Sequence, residues 1–161
     1  MATIKVKNNE GNWENVAIAS QVKIPEEMRT FTDDISYLFS NGNFIDWQDK
    51  YPFILKDVTR MTNTFQQCPI NKDLSKITVT TLNYPDVNNG AYVSNLFYYN
   101  KSDSLPTING RIAVLNANLF QGCSNLQDKT IRQFFANPNL ELSWCNTNSR
   151  SSNPGITSMF N

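Results

Sequence analysis

One five-residue pattern recurs along the chain and restricts its fold more than any other feature: an apolar residue, two polar or small residues, a fourth that is usually apolar, then phenylalanine. Its copies are Ile35-Ser36-Tyr37-Leu38-Phe39, Met61-Thr62-Asn63-Thr64-Phe65, Val93-Ser94-Asn95-Leu96-Phe97 and Ile156-Thr157-Ser158-Met159-Phe160. A weaker copy is Asn116-Ala117-Asn118-Leu119-Phe120, whose first position is polar. Ile131-Arg132-Gln133-Phe134-Phe135 also fits, although it lies too close to its predecessor to be a full unit. From Phe39 to Phe160 the main copies are 26, 32, 23 and 40 residues apart. Self-similarity at such intervals marks a repeat architecture, in which no unit can cover its own apolar face and neighbours share one core.

Two apolar residues one helical step apart, with an aromatic beside them, predict one turn of α or 3₁₀ helix per unit. Between these turns lie β-like runs at Phe44–Trp47, Ile77–Val79 and Leu140–Trp144. The expected fold is therefore β-rich α/β: an irregular solenoid of short strands and short helical turns. Its expected core is the apolar and Phe positions of the copies, with Cys68 and Cys123. These two cysteines share one slot, three residues after the Phe, with Gly42 and Asn100. That placement reads them as small buried residues at a turn. The chain holds 23 asparagines. Asn tolerates left-handed backbone and bonds to nearby main chain, so many short elements and turns are expected, and long helices are not.

The first twenty residues carry a different period. Ile4 and Val6 alternate with Lys5 and Lys7, Asn8–Asn12 supplies a turn, and Trp13, Val16 and Ile18 follow on the return run. This predicts a β-hairpin. An isolated hairpin is marginal in water, so Ile4, Val6, Trp13, Val16 and Ile18 are candidate docking residues. Residues 20–30 read as a linker entering a short helical turn. The division is residues 1–30, an attachment segment with its linker, and residues 31–161, the repeat domain. The last copy stops without a following strand, so either it caps the solenoid or the chain is the front part of a longer polypeptide, the second being the expectation.

Composition narrows the function classes. With 161 residues, 40% of them hydrophobic and 12% aromatic, the chain can bury a real core. Fourteen basic residues balance fourteen acidic ones, without the basic excess of a nucleic-acid binder. No run approaches the roughly 20 apolar residues of a membrane span. Three cysteines without a CxxC pair, and no histidine, give neither a disulfide framework nor a zinc ligand set. The missing histidine also removes the commonest general base and the Ser-His-Asp and Cys-His nucleophile systems. Phosphate-cradling glycine loops are absent. Carboxylate pairs are the remaining catalytic option. The candidates are Asp33-Asp34, Glu26-Glu27, Asp46 with Asp49, and Asp57, and each reads better as non-catalytic: Asp33-Asp34 and Asp57 as helix caps, and Glu26-Glu27 as a solvated first turn after Pro25. The expectation is no catalytic residue, no metal and no cofactor. Trp47, Tyr51, Tyr84, Tyr98 and Tyr99 lie outside the core phase; they read first as cover for the solenoid's flank, and second as candidate surface aromatics for a sugar or a partner.

Two stretches carry a family resemblance. Val58-Thr59-Arg60-Met61-Thr62-Asn63-Thr64-Phe65-Gln66-Gln67-Cys68 resembles the BspA-type leucine-rich repeat, and Leu119-Phe120-Gln121-Gly122-Cys123-Ser124-Asn125-Leu126 is similar to its M-F-x-G-C-S-x-L step. The run Ala2-Thr3-Ile4-Lys5-Val6-Lys7-Asn8-Asn9-Glu10-Gly11-Asn12-Trp13 resembles the openings of tail, baseplate or fibre proteins of phages of gut bacteria, crAss-like phages included. These resemblances imply a virion structural protein, assembled in the host cytoplasm. It would dock on other virion proteins through its hairpin, form a homo-oligomer, and display the repeat for assembly or for a host glycan or protein. The alternatives are a BspA-type bacterial surface adhesin and a carboxylate-based glycan hydrolase of a phage tail.

Overall fold

The computed structural model describes residues 3–7, 10–17, 25–86, 89–114 and 118–144. Strands β1 (Thr3–Lys7) and β2 (Trp13–Ala17) form an antiparallel two-stranded sheet, with Ile4 opposite Val16 and Lys7 opposite Trp13. A 3₁₀ turn at Glu26–Arg29 then leads into a six-stranded sheet. Its strands are β3 (Thr30–Asp34), β4 (Ile54–Thr62), β5 (Thr78–Thr81), β6 (Ala91–Ser94), β7 (Thr107–Val114) and β8 (Leu140–Trp144). Every pairing in this sheet is parallel. β3 pairs with β4, and β7 with β8. Between them β5 and β6 act as two halves of one rung, since each pairs with both β4 and β7. The chain thus passes through the sheet five times, each pass lying beside the one before. A single helix among the described residues, α1 (Asp128–Phe135), sits between β7 and β8.

Bulges decide which side chains enter the core. The pairing of β3 with β4 shifts register at Asp33, and that of β4 with β5 shifts between Leu55 and Val58. Asp33 and Asp57 take left-handed φ angles of 59° and 53° at these shifts. An extra residue there lets Leu55, Val58 and Met61, three apart, all be buried.

Beyond each strand the backbone alternates between right- and left-handed conformations. The left-handed positions come in step: Tyr37 and Asn41, then Asn63 and Gln67, then Asn95 and Tyr99. Asparagine is the non-glycine residue best suited to that conformation, which accounts for part of its abundance. Alternate N–H groups consequently point along the stack. Tyr37, Phe39 and Asn41 donate to the carbonyls of Thr62, Thr64 and Gln66 at 3.0, 3.1 and 2.9 Å. Asn63, Phe65 and Gln67 donate to Ser94, Leu96 and Tyr98 at 2.9, 3.0 and 2.9 Å. Phe97 and Tyr99 donate to Leu119 and Gln121 at 3.1 and 2.7 Å. The sheet ladder therefore runs on through the turns, and few buried backbone groups are left to desolvate unpaired.

Inside these turns the phenylalanines stack. Phe39 and Phe65 lie 5.4 Å apart at 5°, Phe65 and Phe97 5.6 Å at 19°, and Phe97 and Phe120 5.1 Å at 8°. All four are at most 2% exposed. Phe53 meets Phe39 edge-on at one end, and Phe134 of α1 meets Phe97 and Phe120 edge-on at the other. Each ring is a large burial term, and each aromatic contact adds about 0.5–1.5 kcal/mol.

Several expectations are corrected. The copies that carry Phe39, Phe65 and Phe97 are not helical: their first residues lie at the ends of strands or follow them, and the turns use alternating left-handed residues, whereas the copy Ile131–Phe135 does lie in a helix, α1. The three-residue apolar spacing came from that geometry and from bulges. Phe44–Trp47 is not a strand but holds a 3₁₀ turn, Ile45–Trp47, entered through Phe44 at φ 59°. Asp33, Asp34 and Asp57 lie in β3 and β4 and cap no helix; the Asp34 carboxylate instead accepts the N–H of Ser36 at 2.9 Å. Ile77–Val79 and Leu140–Trp144 coincide with or overlap β5 and β8. Ile18, Asn116, Ala117, Cys145 and the copy at 156–160 lie outside the described residues.

Replacing Phe65 by alanine removes two stacked partners and leaves a cavity. It is expected to cost about 3–5 kcal/mol in chemical denaturation, whereas Phe44→Ala, at a half-exposed ring, costs far less. Equal costs for the two would contradict a packed column.

Candidate functional site

Among the described residues, three surfaces outside the interior bear on function. The first is the hairpin. Trp13 is 67% exposed, with the Lys7 ammonium 6.0 Å from its ring. Trp13 and Lys7 are cross-strand partners, whereas Ile4, Val6 and Val16 take the alternate register positions.

The second surface is aromatic. Trp47 is half exposed and meets Tyr51 edge-on at 6.3 Å. Phe44, also half exposed, meets Trp47 at 5.8 Å and Phe53 at 6.5 Å. Phe44 escaped sequence reasoning because nothing local distinguished it from a strand residue; its left-handed φ is what turns the ring outward from the expected strand phase. Elsewhere Tyr98 and Tyr99 contact each other edge-on at 4.6 Å. Tyr99 is 45% exposed, and its ring lies over Gly122, where an added Cβ would come within 2.7 Å of it. Tyr84 packs partly against the core, and burial, with Tyr92 and Asp33 nearby, pushes its phenol pKa up. These aromatics form separate groups, so Trp47 with Tyr51 and Tyr98 with Tyr99 are two pairs on different passes.

The third surface is a cleft of about 450 Å³ between the chain entering β7 and helix α1. Its floor is apolar, from Leu105, Pro106 and Phe134, and its rim carries Asp103, Thr130 and Gln133. The Thr130 hydroxyl donates to the Asp103 carbonyl at 3.4 Å and ties the two walls together. Sequence reading passed over this cleft because its walls come from residues about thirty apart, in segments without a repeat phase.

The candidate carboxylates are engaged in holding passes together. Asp46 is paired with Lys72, and Asp49 with Lys76 at 2.5 Å. Arg111 of β7 pairs with Glu141 of β8 at 2.5 Å and also donates to the carbonyls of Tyr84 and Asp86. That last contact straps the 82–90 insert to the sheet. Among the described residues no cluster of His, Cys, Asp and Glu could hold a metal ion, and no helix is long and apolar enough to cross a membrane.

The two described cysteines each stand three residues after a stacked phenylalanine, Cys68 after Phe65 and Cys123 after Phe120. The Cys68 thiol donates to the Phe39 carbonyl at 3.3 Å, and the Cys123 thiol to the Phe97 carbonyl at 2.9 Å. Burial pushes both thiols up to about 11. Asn100, the equivalent residue between them, is fully buried and uses its carbonyl oxygen to accept the Ser102 N–H at 2.7 Å.

No family model, no curated protein and no solved structure matches this chain.

The thiols generate a pH prediction. Ionisation is harder in the folded chain than in the unfolded one, where a thiol titrates near 9.0. The stability they contribute is therefore whole below about pH 9 and is lost as pH rises toward 11. In a Cys145→Ser variant, native protein at pH 8 is expected to react slowly with a thiol reagent, and both thiols to react at once in denaturant. Rapid labelling of the native protein would place these thiols outside the buried slot.

Proposed function

We propose that this chain is a non-enzymatic structural and binding protein: an irregular leucine-rich-repeat-type solenoid of the BspA kind, carried behind an attachment hairpin. The observation that supports the repeat reading most directly is the face-to-face column of Phe39, Phe65, Phe97 and Phe120, one ring from each successive copy of the sequence pattern. Such a protein works mechanically. Backbone and side-chain polar groups are consumed in linking one pass to the next, and the exposed aromatics and the cleft remain for contact with other molecules. Taken with the resemblance of the N-terminal run, the reading is a phage virion component of the fibre, tail or baseplate. In it residues 1–20 join a neighbouring virion protein, by strand addition to the ribbon β1–β2, and residues 31–161 are displayed. Virion location, a homo-oligomeric state and a host glycan or protein as the displayed face's target belong to the same proposal. Neither nucleic acid nor a lipid bilayer enters it.

A BspA-type bacterial surface adhesin is the second reading, favoured by the exposed aromatic pairs Trp47–Tyr51 and Tyr98–Tyr99. It shares the displayed repeat and differs in what the hairpin joins. The glycan-hydrolase reading is weakened by the lysine partners of Asp46 and Asp49, which hold these carboxylates between passes.

Deletion separates the readings. Tagged full-length chain and a variant lacking residues 1–20 would be produced in host cells during infection, and the particles purified. The full chain is expected in the particle fraction and the truncated one only in the soluble fraction, with its thermal unfolding retained. Equal incorporation of both, or incorporation of neither, contradicts hairpin docking on a virion.

A further inference from the structure

The cleft beside α1 is built where the repeat geometry is interrupted. β7 and β8 are neighbours in the sheet, and the chain between them follows the earlier passes through the Phe120 turn and only then forms α1. Phe134 turns inward from the helix and meets Phe97 and Phe120 edge-on, which holds α1 at the stack while leaving a gap on its other flank. Leu105 and Phe134 on the cleft floor are 8% and 6% exposed, so the floor is a rigid extension of the core. Its volume of about 450 Å³ lies within the usual 300–1,000 Å³ range of ligand clefts.

The rim chemistry narrows the occupant. Neither the Asp103 carboxylate nor the Gln133 carboxamide has a hydrogen-bond partner among the described residues, and both are exposed. No lysine or arginine lines the cleft, so phosphate, sulfate and acidic sugars would face a carboxylate without a compensating cation. A wholly apolar ligand would desolvate the carboxylate without pairing it. An amine would gain one exposed carboxylate, a weak contact in water. A neutral sugar uses the whole arrangement: its C–H face lies on the apolar floor, and its hydroxyls donate to Asp103 and exchange donor and acceptor roles with Gln133 and Thr130.

We propose that this cleft binds a neutral hexose or hexose disaccharide, a glycan subsite on the displayed repeat. The inference rests on the reading of the chain as a binding protein and names the ligand class for its displayed face. It is independent of where the hairpin docks.

The test is an amide-shift titration of the full-length chain with lactose, cellobiose, mannobiose and chitobiose. Sialyllactose and lysine amide serve as the anionic and cationic comparisons. At least one neutral disaccharide is expected to give saturable shifts confined to Ser104–Ile108 and Thr130–Asn137. The Asp103→Ala/Gln133→Ala variant, whose two positions are exposed, is expected to weaken that binding about tenfold or more with unfolding unchanged. No saturable response to any neutral sugar, shifts centred elsewhere, unaltered affinity in the variant, or preference for the anionic or cationic comparison overturns the proposal. Loss of particle incorporation on deleting residues 1–20 is read separately, so a negative titration leaves the docking reading standing.

Discussion

Four phenylalanine rings lie face to face at 5.1–5.6 Å, each contributed by a different pass of the chain. No pass can cover its own ring, because the strand and turn that carry it are only one layer thick. The burial of each therefore requires its neighbours, and the parallel register of the sheet follows from keeping the rings in line. A slip of one residue between passes would take a Phe out of the column and break the run of turn hydrogen bonds together. The edge-on rings of Phe53 and Phe134 close the described column, which explains why irregular segments, a 3₁₀ loop and a helix, stand where the regular turns do not.

The polar chemistry follows the same constraint. Stacked turns bring backbone groups of successive passes together in a dry interior, where every unpaired group is costly. Left-handed residues at alternate positions rotate the N–H groups along the stack, and the Cys68 and Cys123 thiols each add one further donor, to the carbonyls of Phe39 and Phe97 on the neighbouring pass. Surface ion pairs repeat the arrangement outside: Asp46 with Lys72, Asp49 with Lys76 and Arg111 with Glu141 each join adjacent passes. Exposed pairs of this sort contribute little energy individually and mainly favour the correct neighbour. The Asp46 and Asp49 carboxylates, which look functional in the sequence, are thereby tied to neighbouring passes of the fold.

The recurring phenylalanine was legible as a core position: the intervals of 26, 32 and 23 residues between Phe39 and Phe120 are those separating the stacked rings. The hairpin was legible from alternation around an Asn/Gly turn. Strand β7 was not, since Thr107–Val114 places Gly110 and Arg111 in the middle of an otherwise apolar run. Strands β3 and β4 were obscured by Asp33 and Asp57, whose bulges break the period of two. The turns were misread as helical because Ile35 to Leu38 has the same spacing in a chain of alternating left- and right-handed residues as on a helix face. The cleft was illegible for a different reason: it depends on how far α1 stands from residues 103–107, a distance that no local pattern encodes.

The stacked column is tested most directly by ring-to-ring nuclear Overhauser contacts in protein carrying protonated phenylalanine rings on a deuterated background. The expected result is an unbroken series, Phe39 to Phe65, Phe65 to Phe97 and Phe97 to Phe120, with ring protons shifted upfield by their neighbours. Rings without mutual contacts, or contacts joining Phe39 directly to Phe97 or Phe120, would contradict a shared interior built one pass at a time.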